Sequence, residues 1–491
     1  MGDHCSNKID ESSYKEPLLK NHGYHENCPG CKVEQARQRH EGVPIKYVFS
    51  VWMLTLCTTL PIGCLFPFLY FMVRDFGIAK EEADISSYAG YVGSSFMFGR
   101  GLSSIPWGII ADRYGRKYAI VTGIATVVVF NTLFGLSTSF WMAVSTRFLL
   151  GVLNGSIGPI KAYAIELFRE EHQALGLSTV SAAWGMGLVL GPALGGYLAQ
   201  PVEKYPHLFS KGSLFDKFPY FLPCLIISIL AFAVLVACIW LPETLHNHKI
   251  IDVSDEDGEA LNSEITGKKV HNDEILLLNW PLMSSIIIYC VFSLHDIAYT
   301  EVFSLWAVSP RWLGGLNFST NGVGNVLSIS GVSMLLYQIL LYPFLEKVCG
   351  SVRLARISGV ISIPILQSHP FIALLSGFPK DLLITFVSIL MLCLSQTITT
   401  GLFLLQSRSV EQHQRGAANG IAMTGMSLFK ALGPAGGGAL LSWSEKRLDA
   451  SFLPGPHMVF FVLNLVAALG LVMMFKPFLA EKKKNPSEQL E

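Results

Sequence analysis

Long, continuous apolar runs recur along this chain at nearly regular intervals, and they restrict it to one kind of fold. A helix needs about 20 apolar residues to cross the hydrocarbon core of a bilayer. Runs of that length lie at 47–73, 85–111, 118–137, 140–165, 174–199 and 221–241. A second set lies at 282–308, 319–345, 353–377, 381–405, 416–443 and 457–478. They are too long and too continuous to be the alternating segments of a membrane β-barrel. The pattern predicts an all-α membrane protein with twelve transmembrane helices embedded in the lipid bilayer.

The charge content agrees. Charged residues make up 15% of the 491, against about 25% in a soluble globular chain, because an ionised group facing lipid is costly. Lys and Arg (36) balance Asp and Glu (36), so no basic field points to nucleic acid, and none is expected as a partner. No cleavable signal sequence is expected, since the first 45 residues are polar and charged. The ten cysteines give no disulfide framework, and several sit inside apolar runs (Cys57, Cys64, Cys238, Cys290, Cys393).

An acidic stretch at 242–281, with Asp252, Asp255, Glu256, Asp257 and Glu259, splits the runs six and six. Its composition suits a solvated linker. The expected organisation is a tail at 1–46, a six-helix half at 47–241, a central loop at 242–281, a second half at 282–478 and a tail at 479–491. Basic residues in short loops set orientation. Arg113, Arg116, Lys117, Arg169, Lys347, Arg353, Arg356, Arg408 and Arg415 fall on one side, with basic tails on the same side. Both termini and the central loop are therefore expected in the cytoplasm, against the exception of Lys204, Lys211 and Lys217 at 200–220. The halves also resemble each other: Gly191-Pro192-Ala193-Leu194-Gly195-Gly196 in the fifth run matches Gly433-Pro434-Ala435-Gly436-Gly437-Gly438 in the eleventh. Repeated halves are what alternating access around a midplane site requires.

Two motifs carry mechanism. The stretch from Trp107 to Lys117, with Gly108, Asp112, Arg113, Gly115, Arg116 and Lys117, combines small residues for close helix approach with charges that can form a breakable network. It resembles the signature loop of the major facilitator superfamily. Ser178, Gly187, Gly191, Pro192, Gly195 and Gly196 fit S-x8-G-x3-G-P-x2-G-G, which is similar to that superfamily's antiporter motif. Glycines admit a neighbouring helix, and Pro192 removes one backbone hydrogen bond. With Cys28-Pro29-Gly30-Cys31, Glu243-Thr244-Leu245-His246-Asn247-His248 and Arg415-Gly416-Ala417-Ala418-Asn419-Gly420, the chain resembles the zinc-induced facilitator-like family of plant transporters over nearly its whole length. That resemblance implies a major facilitator fold and proton-coupled export of a small metal chelator or related organic ion, with effects on zinc and iron balance. Its partners would be protons and a small-molecule substrate, the chain working as a monomer in a vacuolar or plasma membrane.

His22, His25, Cys28 and Cys31 place four zinc-compatible ligands at intervals of three in the first tail. The alternative is a short reduced-thiol turn in a disordered tail. Within the spans, charges are candidates for coupling, since burial needs a partner or a watery cavity. Arg100 lies near mid-depth in the second span. Arg147, with Gly151 four residues on, resembles the residue of antiporters thought to tune proton release. His295, Asp296 and Glu301 cluster in the seventh span, with Asp296 the first choice for the proton because His295 is adjacent. Lys161 and Glu166 are expected at the interface. No nucleotide loop, nucleophile elbow or zinc-protease helix is present, so neither an enzyme nor an ATP-driven pump is expected, and no cofactor beyond the tail zinc. The competing class is a non-transporting membrane sensor whose tail reads zinc.

Overall fold

The computed structural model describes residues 28–39, 44–169, 172–245, 278–410 and 415–479. Most of the acidic stretch at 242–281, the last tail, His22 and His25 lie outside them. Twelve spans are present where the apolar runs predict them, and no strand occurs among the described residues. The first consists of Ile45–Gly63, a turn and Leu69–Asp75. The others are Ile85–Tyr114, Arg116–Gly135, Phe140–Leu167, Gln173–Leu198 and Phe221–Trp240 in the first half. Trp280–Val308, Thr320–Cys349, Ser351–Ile372, Phe378–Ser409, Arg415–Glu445 and Pro456–Met473 form the second half. Side chains cap several starts: Ser139 accepts from Met142 N (3.4 Å), Asn279 from Leu282 N (3.2 Å) and Ser319 from Gly322 N (3.3 Å).

Nine described spans are apolar enough to cross a membrane on hydropathy alone. The second, ninth and eleventh are not, and the second and eleventh show why. They pack against each other across the two halves, where small and polar residues replace lipid-facing bulk. A Cβ added at Gly90 would lie 2.3 Å from Pro434 O, and one at Gly438 2.3 Å from Ser86 O. The fifth and eighth spans repeat the arrangement, with the Gly196 and Gly324 backbones in similar contact.

These contacts share one end of the bundle, opposite the signature loop. Polar crossings between the halves gather there too. Glu445, 1% exposed, accepts from Ser309 Oγ (2.6 Å) and Ser86 Oγ (3.4 Å). Lys446 reaches Asp84 (2.6 Å) and Glu81 (3.1 Å). Lys204 Nζ donates to Gly196 O and Thr320 Oγ1, both at 2.5 Å. Burial lowers this ammonium to about 8, with Glu203 opposing the shift. Tyr197 donates to Asn325. Toward the signature-loop end the halves diverge: a Cβ at Gly108 or Gly420 would meet nothing within 4 Å.

The tail departs from the turn-in-disorder alternative. Pro29–Arg39 is a helix docked on the first half, with Gly30 N donating to Leu245 O (3.3 Å) and Arg37 to Phe168 O (3.4 Å). Cys28, Cys31 and Val33 are buried by the docking.

If backbone contact at Gly90 seals the far end, Gly90→Val should force the halves apart there. A crosslinker between Tyr197→Cys and Asn325→Cys should then react severalfold less, while Gly108→Val leaves the yield unchanged. Equal loss in both variants would show that valine disturbs the helices and not the seal.

Candidate transport site

A central cavity of about 150 Å³ lies between the halves and is partly open to solvent. Phe66, Arg100 and Trp184 line it from the first half, and Asp296, Tyr299 and Lys430 from the second. The Arg100 guanidinium sits 5.6 Å from the Trp184 ring centroid. Asp296 accepts from Ser395 Oγ at 2.7 Å. The wall thus sets two cations against one carboxylate, an arrangement that favours a ligand with net negative charge. Lys430 is absent from the sequence-derived candidates. Its signal is plain in retrospect: a lysine in the middle of the eleventh apolar run.

The seventh-span cluster does not stay together. Helical geometry turns adjacent side chains by about 100°, so His295 and Asp296 line different surfaces and only Asp296 reaches the cavity. His295 is buried with no partner on Nε2 among the described residues. Glu301 is 1% exposed, and neither carboxyl oxygen has a hydrogen-bond partner there. Its oxygens lie 3.2 and 3.3 Å from where a Gly93 Cβ would stand, so the carboxyl crosses the interface onto the second span. Arg147, also 1% exposed, donates to Pro61 O (3.0 Å) and stacks near Phe96 (5.0 Å) and Phe134 (5.2 Å). No carboxylate stands within salt-bridge distance of it among the described residues.

The signature loop forms a network inside the first half. Asp112 pairs with Arg116, whose Nε also meets Glu166 (3.2 Å). Glu166, expected at the interface, accepts from Thr244 as well. Glu243 accepts backbone N–H bonds from Arg116 (3.0 Å), Lys117 (3.1 Å), Thr244 (2.9 Å) and Leu245 (3.2 Å), closing the start of the third span with an anion. The signal for this role in the sequence is an acid just beyond the sixth apolar run. Gly115 has φ 113°, which favours glycine, and a Cβ there would strike Glu243 at 2.3 Å. Lys117 Nζ donates to Ile239 O (3.0 Å), and Arg113 lies near the Tyr114 ring.

The antiporter-motif residues divide their contacts. Added Cβ atoms at Gly187, Gly191 and Gly195 would strike the first span at Thr59 (2.6 Å), Gly63 (2.8 Å) and Cys64 (2.0 Å). Gly196 faces the eighth span, Pro192 lines the cavity and Ser178 is exposed.

The profile of the Major Facilitator Superfamily matches residues 51–403. The chain belongs to this superfamily. Within it, the zinc-induced facilitator-like branch is shown by zinc induced facilitator 1 of Arabidopsis thaliana, 55% identical over 96% of this chain and 99% of that one. Zinc induced facilitator-like 1 of the same plant is 56% identical over 96% and 99%. A third Arabidopsis relative, a probable peptide/nitrate transporter, is 54% identical over 93% and 97%. Among solved structures, a bacterial homologue of the human lysosomal transporter Spinster, inward-facing and occupied, shares the fold with TM-score 0.66, 12% identity and coverage of 88% and 96%. A D-xylose–proton symporter does so with TM-score 0.65, 16% identity and coverage of 89% and 98%. This major facilitator protein is therefore a multi-pass membrane transporter.

A buried cation held by one carbonyl and two rings is expensive, and exchanging such groups for apolar ones is often neutral or stabilising. Arg147→Met is therefore expected to keep the unfolding temperature of the purified protein within about 2 °C while abolishing transport. A fall of many degrees would make Arg147 a structural residue.

Proposed function

We propose that the chain is a proton-coupled antiporter that moves a small organic metal chelator or related organic ion out of the cytoplasm, with the signature-loop end and both tails on the cytoplasmic side. The observation that carries this reading is the cavity wall, where Arg100 from one half and Lys430 from the other face Asp296. A chelator's carboxylates would meet the two cations, and an amine would meet Asp296. Binding to both halves at once draws them together, which is how a ligand biases a two-state equilibrium.

Glu301 is the proton carrier in this scheme, in place of Asp296. A buried carboxylate without a donor is heavily penalised, whereas a protonated one is tolerated. Protonation of Glu301 lets it lie against Gly93 and close the far end. Loss of the proton favours opening there, where water reaches the carboxylate. Asp296, exposed to the cavity and bonded to Ser395, serves substrate binding.

Proteoliposome flux with a panel of free chelators, metal complexes and organic ions tests this. A pH gradient should accelerate transport by the wild type. Glu301→Gln should abolish the pH-driven component while exchange at equal pH survives. Lys430→Met should raise the half-saturation concentration about tenfold, the effect of losing roughly 1.4 kcal/mol of charge pairing. Wild-type flux indifferent to the pH gradient would sink the coupling, and full pH-driven flux in Glu301→Gln would remove this carrier.

The zinc reading of the tail bears on regulation, because the helix that carries Cys31 and follows Cys28 docks at Leu245, two residues from Glu243. That placement favours regulation of the transporter over a sensor without transport. Cys28→Ser combined with Cys31→Ser should leave basal flux intact and change its response to added zinc; loss of basal flux would contradict it.

A further inference from the structure

His369 on the ninth span is fully buried and does not line the cavity, yet it governs a residue that does. The ring is enclosed by Tyr299, Phe303, Trp306 and Phe460, with centroids 5.1–6.1 Å away. Its Nδ1 lies 3.0 Å from Leu366 O and 3.3 Å from Ile365 O. Carbonyl oxygens only accept, so Nδ1 carries the ring hydrogen. No carboxyl group faces the ring among the described residues, so a second ring proton would have no counter-charge. Nε2 is then a bare acceptor, 3.1 Å from the Tyr299 hydroxyl. Tyr299 is the donor in that bond, and its only proton is spent inside the wall.

Tyr299 can therefore offer the cavity an acceptor and nothing else. Its neighbour Thr300 is similar: the hydroxyl donates to Asp296 O at 2.9 Å. Asp296 is an acceptor by its charge. The seventh-span wall thus presents three acceptors in a row, opposite the donor-only Arg100 and Lys430. Ser388 on the same cavity is placed to donate to the Tyr299 hydroxyl, which keeps the phenol an acceptor, and Ser330 keeps a hydroxyl without a partner among the described residues.

We propose that His369 is a positioning residue that makes Tyr299 an acceptor-only contact, so that the cavity selects ligands presenting an N–H or O–H donor to the seventh span. Without it the phenol would be free to donate, and a carboxylate could settle on either wall. A site that expects a hydrogen bond rejects an analogue lacking the donor, because the buried acceptor is left unpaired. The inference rests on the transporter reading, but its structural premise does not.

The test has two arms on the full chain. In the first, protein with ring-15N histidine is reconstituted in lipid and compared with His369→Phe, which keeps an aromatic ring in the enclosure. The expected result is one neutral imidazole, hydrogen on Nδ1, missing from the variant's spectrum. Hydrogen on Nε2 would overturn the proposal, and this arm needs no transport. In the second, uptake of iminodiacetate is compared with its N,N-dimethyl quaternary analogue, which has the same charge but no N–H. Wild type should favour iminodiacetate about tenfold, the effect of one unpaired polar group. Tyr299→Phe and His369→Phe should each bring the ratio close to one. Equal handling of the two probes by wild type, neither being carried included, would overturn the selectivity role, as would an unchanged ratio in both variants.

Discussion

Backbone-to-backbone contact between the halves at one end of the bundle is the constraint on which the other features depend. Gly90 with Gly438 and Gly196 with Gly324 let two pairs of helices approach where any Cβ would meet a carbonyl or Cα at 2.3–3.0 Å. That seal turns the cavity into a one-ended vestibule. It also sets Pro434 and the Glu301 carboxyl against Gly93, 3.1–3.3 Å from where a Cβ would stand. In membranes, dispersion packing of small residues supplies what apolar burial supplies in water. The polar latches around Glu445, Lys446 and Lys204 add direction to a fit that the glycines make possible.

Much of this was legible in the sequence, for a physical reason. Crossing the bilayer fixes the length and apolarity of each helix, and twelve spans emerged within a few residues of the expected bounds. Gly187, Gly191, Gly195 and Gly196 leave no room for a Cβ against neighbouring helices. The sequence could not say which helix each glycine meets, because Gly195 and Gly196 are adjacent and yet face the first and eighth spans respectively. The same angular ambiguity misled the grouping of His295 with Asp296. Proximity along a helix says little about a shared surface unless the spacing is three or four residues. Lys430 escaped attention because it stands alone in its span, its partners across the cavity belonging to other helices.

The buried charges show how function and folding cost are separated. Arg147 and Glu301 lie in opposite halves, each buried and, among the described residues, neither in a salt bridge. Burial of an unpaired ion costs several kcal/mol, a cost that protonation would spare Glu301. Their persistence makes sense if their protonation or exposure changes during the cycle. The Asp296–Ser395 pair, by contrast, is hydrogen-bonded, and Asp296 lines the cavity.

The signature loop follows the opposite logic. Asp112, Arg116 and Glu166 belong to the first half, Glu243 and Thr244 to the start of the loop that follows it, and their bonds are made without the second half. Among the described residues this network does not cross between the halves, so it does not hold them in this arrangement. Asp112 keeps 68% of its side chain exposed at the end where the halves diverge, and Gly108 beside it has open space around it. Both are poised for a surface that arrives only when this end closes. The two ends are thus built differently: the far end is held now by backbone contact and buried latches, while the loop end holds its charges in reserve, prepaired within one half. In the proposed cycle, alternation between them would exchange one set of contacts for the other, and a ligand bridging Arg100 and Lys430 would act at the point between the two.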